Sequence, residues 1–274
     1  MATEPVTRYE PFYILRDSNI SCVIWCEDAV RYYGVPTVVF SFHILVPDIE
    51  KAAKVLIQRE WHLEDGTKTK FGLSTLRSAH CCLTPPANIA PNKPAWSPAM
   101  GPPPPPSKIP PGPTTTILLP ALEWNFTFPS NFQGFFPPLP ELVDALISKL
   151  LDISLTDSVW DQLTVLIAYL YGYVPSLKEK AFAECLKYEN RQYHYDSLSG
   201  MSTGTLPFIR HERKIRDALR GGTFQLCDCS ADREDESLFT TKAMARIMAS
   251  SALPFTPEEY EAYKKNEEDE QWSD

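Results

Sequence analysis

Four side chains in the first half of the chain have the types and spacing to do chemistry together. Ser41 and His43 stand two apart in the run Thr37 to Val46, TVVFSFHILV. Its β-branched content and bounding prolines predict a strand. On a strand, residues two apart share a face, so a hydroxyl and an imidazole would sit side by side with Val39 and Leu45. Val38, Phe40, Phe42, Ile44 and Val46 would form the opposite, core-facing side. An imidazole in that position suits a general base or a hydrogen-bond donor to a substrate. A serine hydrolase is not expected, because VFSFH lacks the glycines of a nucleophile elbow. Glu27 and Asp28, upstream in a segment that reads as a helix, could add acid–base chemistry. Adjacent helix positions point about 100° apart, so at most one is expected to face a pocket. Glu123, late in the apolar segment Thr114 to Trp124, completes the candidate catalytic set His43, Ser41, Glu27 and Glu123.

A second group lies further on. Tyr188, Arg191, Tyr193, His194 and Tyr195 make a polar-aromatic patch, and Arg210, Arg213, Lys214, Arg216 and Arg220 line one basic segment. Aromatic rings and guanidinium groups hold bases, and arginines hold phosphates. Arg191, His194, Tyr195 and Arg213 are therefore the candidate ligand-binding residues.

The elements positioning these groups follow from periodicity. Ile20 to Tyr33 reads as a helix with an apolar stripe of Cys22, Trp25, Cys26, Ala29 and Val30, stopped by Gly34 and Pro36. Asp48 is placed to cap a helix centred on Lys51 to Arg59, with Ala52, Ala53, Leu56 and Ile57 packing. A polar turn with Lys68 and Lys70 follows. Residues 85–113 hold half of the chain's 26 prolines and are expected to form an extended insertion. Thr114 to Trp124 reads as a strand, and Asn125 to Pro140 as an aromatic loop that is either packed or an interaction surface. Helices are expected at Leu139 to Leu151, Trp160 to Tyr171, Ser176 to Asn190, with Leu177, Phe182, Cys185 and Leu186 inward, and Pro207 to Arg220. A short one is expected at Pro257 to Lys265. This is an α+β chain: an α/β unit over 1–138, a mainly helical lobe over 139–264 and an acidic tail over 265–274.

Totals narrow the function. A net charge of −9, from 35 acidic and 26 basic residues, disfavours a broad surface for duplex DNA. No run is long and apolar enough for a membrane span, and the opening MATEPVTRYEPF does not read as a signal peptide. The seven cysteines form no regular framework, which fits reduced thiols in a cytoplasmic protein. No bound metal or cofactor is expected: the cysteine pairs 22/26, 81/82 and 227/229 lack zinc-ligand spacing and partners, and GGT at 221–223 is not a P-loop.

The stretch WCEDAVRYYGVPTVVFSFHILVPDIEKAA resembles the opening of nucleotidyltransferase-like families, and most nearly fungal members in which a helix ending in Tyr-Gly is followed by VPT and an apolar strand. The resemblance implies a mixed sheet flanked by helices. In active families it also implies an Asp-x-Asp or Asp-x-Glu pair holding two Mg²⁺ ions on nucleotide phosphates, with a third carboxylate from a later strand. Ser41 and His43 stand at the pair's positions, and Glu123 where the third carboxylate would be. The expectation is a catalytically degenerate protein that binds a nucleotide or related small molecule in the old cleft. The alternatives are a metal-independent enzyme using that cleft, and a protein-interaction module using the aromatic loop and the Pro-rich insertion.

Overall fold

The computed structural model describes residues 8–65, 69–72, 74–86, 114–129, 132–154, 157, 159–232 and 235–239. The Pro-rich insertion beyond Pro86, Lys68, the short helix expected at Pro257 to Lys265 and the acidic tail lie outside these residues. The fold is α+β. Seven strands are described: β1 (Val23–Ile24), β2 (Phe42–Val46), β3 (His62–Leu63), β4 (Lys70–Phe71), β5 (Ser74–Thr75), β6 (Cys81–Thr84) and β7 (Thr116–Pro120). Five form one mixed sheet in the order β1-β2-β7-β6-β3, and β4 with β5 makes a separate ribbon. β2 and β7 run parallel at the centre, with His43 opposite Ile117, and the other pairs are antiparallel. The α-helices are α1 (Glu10–Asp17), α2 (Cys26–Tyr32), α3 (Ile49–Ile57), α4 (Leu139–Asp152), α5 (Val159–Tyr173), α6 (Arg191–Leu198) and α7 (Leu206–Arg220).

Both faces of the sheet are buried, and strand alternation sorts side chains between two cores. Ile24, Phe42, Ile44, Val46 and Leu118 pack with Phe12 and Leu15 of α1 and with Ala52 and Leu56 of α3. Val23, Leu45, Ile117 and Leu119 pack on the other side with Ala29 and Val30 of α2 and with residues of α4, α5 and α7. That second core crosses the boundary expected at 138/139. The face of β2 carrying His43 is therefore a covered core face and not an open one. Val38 and Phe40 precede the strand and are exposed, the latter by 53%.

Three expected elements are rebuilt. The helix predicted from Ile20 begins only at Cys26, because Val23 and Ile24 pair with Leu45 and Ile44 across the sheet edge. The strand predicted through Trp124 ends at Pro120 and turns into a 3-10 helix, Ala121–Trp124, placing Glu123 on an exposed turn. The helix predicted at Ser176 to Asn190 is a series of 3-10 turns, Pro175–Lys178, Lys180–Cys185 and Tyr188–Asn190. Its course is set by tertiary bonds. The Asp144 carboxylate of α4 accepts from the Lys187 amide at 3.0 and 3.1 Å and from Asn190 Nδ2 at 2.8 Å. Leu177 and Leu186 are buried as expected, but Cys185 is exposed, as is Ile57 of α3. The Asp48 cap is present, its carboxylate accepting from Lys51 N at 2.9 Å.

Most of the described aromatic loop packs against the fold, although Phe135 keeps 43% of its surface exposed. Phe126 is buried beside Trp25, Phe135 stacks on Phe12 with centroids 5.0 Å apart, and Phe136 stacks on Tyr32 at 4.4 Å. Among the described residues, no helix is long and apolar enough to cross a membrane.

Candidate functional site

The turn from β1 into α2 positions the first group. Trp25 is extended and its amide donates to His43 O at 2.9 Å, locking the turn to β2. Cys26 then takes φ +56°, a left-handed conformation that costs a side-chain-bearing residue roughly 1–3 kcal/mol. The consequence is that Glu27 and Asp28 both point inward, about one-third of a turn apart, into different neighbourhoods. Asp28 receives Arg8 bidentately, Nε to Oδ1 at 3.0 Å and Nη2 to Oδ2 at 2.7 Å. The same guanidinium donates to the carbonyls of Phe40 at 2.8 Å and Ser41 at 3.0 Å.

Glu27 points at His43. Nδ1 of the imidazole lies 3.4 Å from Glu27 Oε2, and both side chains are almost fully buried. The contact lacks hydrogen-bond geometry, so Glu27 Oε2 and both His43 ring nitrogens have no hydrogen-bond partner. The other carboxylate oxygen accepts from Gln162 Nε2 of α5 at 3.3 Å. Gly72, at φ +59°, makes room for that carboxamide: a Cβ there would stand 2.1 Å from Gln162 Oε1. Phe71 closes the site with its ring edge-on to the imidazole, 5.5 Å between centroids. The Cys26 thiol joins the group, and one ligand atom each from Cys26, Glu27 and His43 lie within 4.8 Å of one another.

Of the four expected catalytic residues, the structure thus joins His43 and Glu27 and adds Cys26, which the sequence reading had placed in an apolar stripe. Ser41 sits just before β2 on the wall of a cleft of about 280 Å³, lined also by Glu64, Asp65, Thr69, Lys70, Thr84 and Thr115. Glu123 stands apart from that group on its exposed turn, its main-chain carbonyl accepting from Lys149 Nζ at 2.8 Å.

The expected ligand-binding residues are occupied within the fold. Arg191 donates to the carbonyls of Leu186 (3.1 Å) and Glu184 (3.2 Å) and lies over the Tyr188 ring. His194 is fully buried, with Tyr171 Oη 2.9 Å from Nδ1 and the Glu179 carbonyl 3.0 Å from Nε2. Those partners fit a neutral ring donating from Nε2, and burial lowers its pKa accordingly. Tyr195 lies half-buried beside it, rings 6.2 Å apart. Arg213 satisfies the orphan carbonyls ending α4, donating to Leu150 O at 3.2 Å and closely to Ile153 O. Arg216 pairs with Asp152 at 2.7 Å. These two arginines of α7 therefore anchor it to α4.

A buried acidic cluster between α6 and α7 escaped the sequence reading, since Asp196, His211 and Glu212 look like ordinary polar helix positions. Asp196 accepts from the Ser230 amide at 2.7 Å, closely from its hydroxyl, and from Gln192 Nε2 at 3.0 Å. His211 Nε2 is 2.7 Å from Ser230 Oγ. Glu212 is 2% exposed, and burial, then the neighbouring Asp196, push its carboxyl pKa well above the ordinary value. A carboxyl whose folded-state pKa is raised stabilises fully below its unfolded pKa and progressively less as pH rises towards the folded value. Glu212→Gln, which keeps a donor for Asp196, is expected to leave the melting temperature near wild type at pH 4. It should raise it by several degrees at pH 8, as read by calorimetry at both pH values.

Comparison of the chain with protein-family models, with curated proteins and with solved structures finds no match. The site is therefore judged on its donors. A thiol, an imidazole and one carboxylate do not suit Mg²⁺, which takes hard oxygen ligands, so two-metal phosphoryl chemistry has no support at His43.

Proposed function

We propose that the chain is a catalytically degenerate nucleotidyltransferase-like protein that binds a nucleoside-type ligand in the cleft beside Ser41 without transferring a phosphoryl group. The observation carrying this reading is the separation of the two strand positions that bear the carboxylate pair in active relatives. Ser41 lines the cleft, whereas His43 is 1% exposed and sealed against Glu27. A buried imidazole has no access to a substrate, which weighs against the repurposed-enzyme alternative.

The cleft's chemistry supports the ligand class. Ser41, Thr84 and Thr115 offer hydroxyls suited to a sugar or base edge, and Lys70 offers one ammonium. Glu64 and Asp65 leave the lining net acidic, which repels a triphosphate and favours a ligand of low charge.

The test is calorimetric titration of the full chain with a nucleoside, its monophosphate and its triphosphate, each with and without Mg²⁺. Binding is expected for the nucleoside or monophosphate, unchanged by metal, and weakened at least tenfold by Thr115→Glu. Binding that requires both triphosphate and Mg²⁺ would restore a transferase, and no binding of any of the three would overturn the reading.

A further inference from the structure

Burying the group of Cys26, Glu27 and His43 together is expensive. A carboxylate oxygen and both imidazole nitrogens are buried there with no hydrogen-bond partner. Such groups cost several kcal/mol in a low-dielectric interior unless something compensates them. The strained backbone at Cys26 brings a thiol to the same point.

From this geometry we infer that Cys26, Glu27 and His43 form a structural zinc site. Ligand atoms bonded to a tetrahedral ion at roughly 2.0–2.1 Å are about 3.3 Å apart. Glu27 Oε2 and His43 Nδ1 are separated by 3.4 Å. Thiolate, imidazole and carboxylate are the donors zinc takes, and they exclude magnesium on softness. The charges also close: a thiolate and a carboxylate offset a divalent cation, leaving a neutral buried unit. Gln162 already holds the other oxygen of Glu27, the role an outer partner plays in orienting a ligating carboxylate. The fourth position is left for a water. All three protein ligands are buried, so the ion enters as the chain folds and stabilises the turn joining β1, α2 and β2.

This inference stands apart from the cleft, and its test reads metal alone. The full-length chain, produced with zinc supplied and washed free of loose metal, is expected to carry about one zinc per chain by mass spectrometry. Refolding the wild type with cobalt(II) is expected to give a thiolate-to-cobalt charge-transfer band and the strong visible bands of a tetrahedral ion. Cys26→Ser should abolish the thiolate band and His43→Gln should lose the metal, while Cys229→Ser, at the half-buried thiol near Glu212 of the acidic cluster, should keep both. Circular dichroism separates loss of metal from loss of fold, and the wild-type cobalt spectrum is decisive without any variant. Substoichiometric zinc with no tetrahedral cobalt bands in the wild type would overturn the proposal. So would bands that survive Cys26→Ser and vanish in Cys229→Ser.

Discussion

Asp28→Ala is expected to destabilise the protein by about 3–5 kcal/mol, the usual result of stranding one member of a buried ion pair. For a chain this size that corresponds to a melting temperature lower by about 10 °C. Arg8 and Asp28 are each about 1% exposed at the side chain, so neither recovers water when its partner is removed. Urea denaturation measures the loss. The double variant Arg8→Met with Asp28→Leu is expected to regain most of it, because an apolar pair leaves no uncompensated charge. If the double variant is as unstable as the two single losses added together, the pair is not acting as a unit. The effect should also reach the cleft. Arg8 holds the carbonyls of Phe40 and Ser41, so Asp28→Ala frees the strand entrance on which Ser41 is mounted.

Trp25→Ala is expected to cost a comparable amount, about 3–5 kcal/mol, by opening a cavity at the centre of the larger core. Trp25 is fully buried, edge-on to Trp124 at 6.4 Å and to Phe126 at 5.6 Å. Trp25→Phe keeps part of the ring contact and should cost less than half as much in the same denaturation experiment. Equal losses for the two variants would place the residue's importance in its indole edge and not in its volume. The indole nitrogen has no hydrogen-bond partner among the described residues, so volume is expected to dominate.

The elements legible in the sequence were those in which local signals and tertiary demand agree. α3 had its Asp48 cap, α4 its Pro140 start, and α7 its Pro207 start and run of basic residues. β2 was plain over Phe42 to Val46, but the strand expected from Thr37 starts five residues later, with Val38 and Phe40 exposed instead of core-facing, and its second face was misjudged. A face holding Ser41 and His43 reads as half-open, and only the helices laid over it show that it is core. β1 was hidden because Cys22, Trp25, Cys26, Ala29 and Val30 repeat at helical spacing while Val23 and Ile24 lie between them. Pairing with β2 decided that case against periodicity. α1 had usable signals, Glu10 and Pro11 in its first turn and Arg16 in its last, that the reading passed over.

Two of the three members of the buried group, His43 and Glu27, were legible in the sequence, and Cys26 and the arrangement were not. His43 stood out by its spacing from Ser41, and Glu27 as a carboxylate on the neighbouring segment. Their contact depends on the left-handed backbone at Cys26, which no composition rule anticipates for a cysteine. The arginines of α7 read equally as a phosphate contact or an ion-paired surface, and Arg216–Asp152 and Arg220–Glu189 are ion pairs. Arg213 and Arg216 also meet the carbonyl-rich end of α4, a partner more than sixty residues away.

The parallel pairing of β2 with β7 also governs how this chain is made. The partners His43 and Ile117 are separated by about seventy residues of sequence. At a synthesis rate of roughly 5–20 residues per second, β2 waits several seconds for the strand that completes the middle of its sheet. During that interval a strand apolar but for His43 has an unpaired edge, a template for pairing with other chains. Shielding of that edge during translation is therefore expected to raise the yield of native protein.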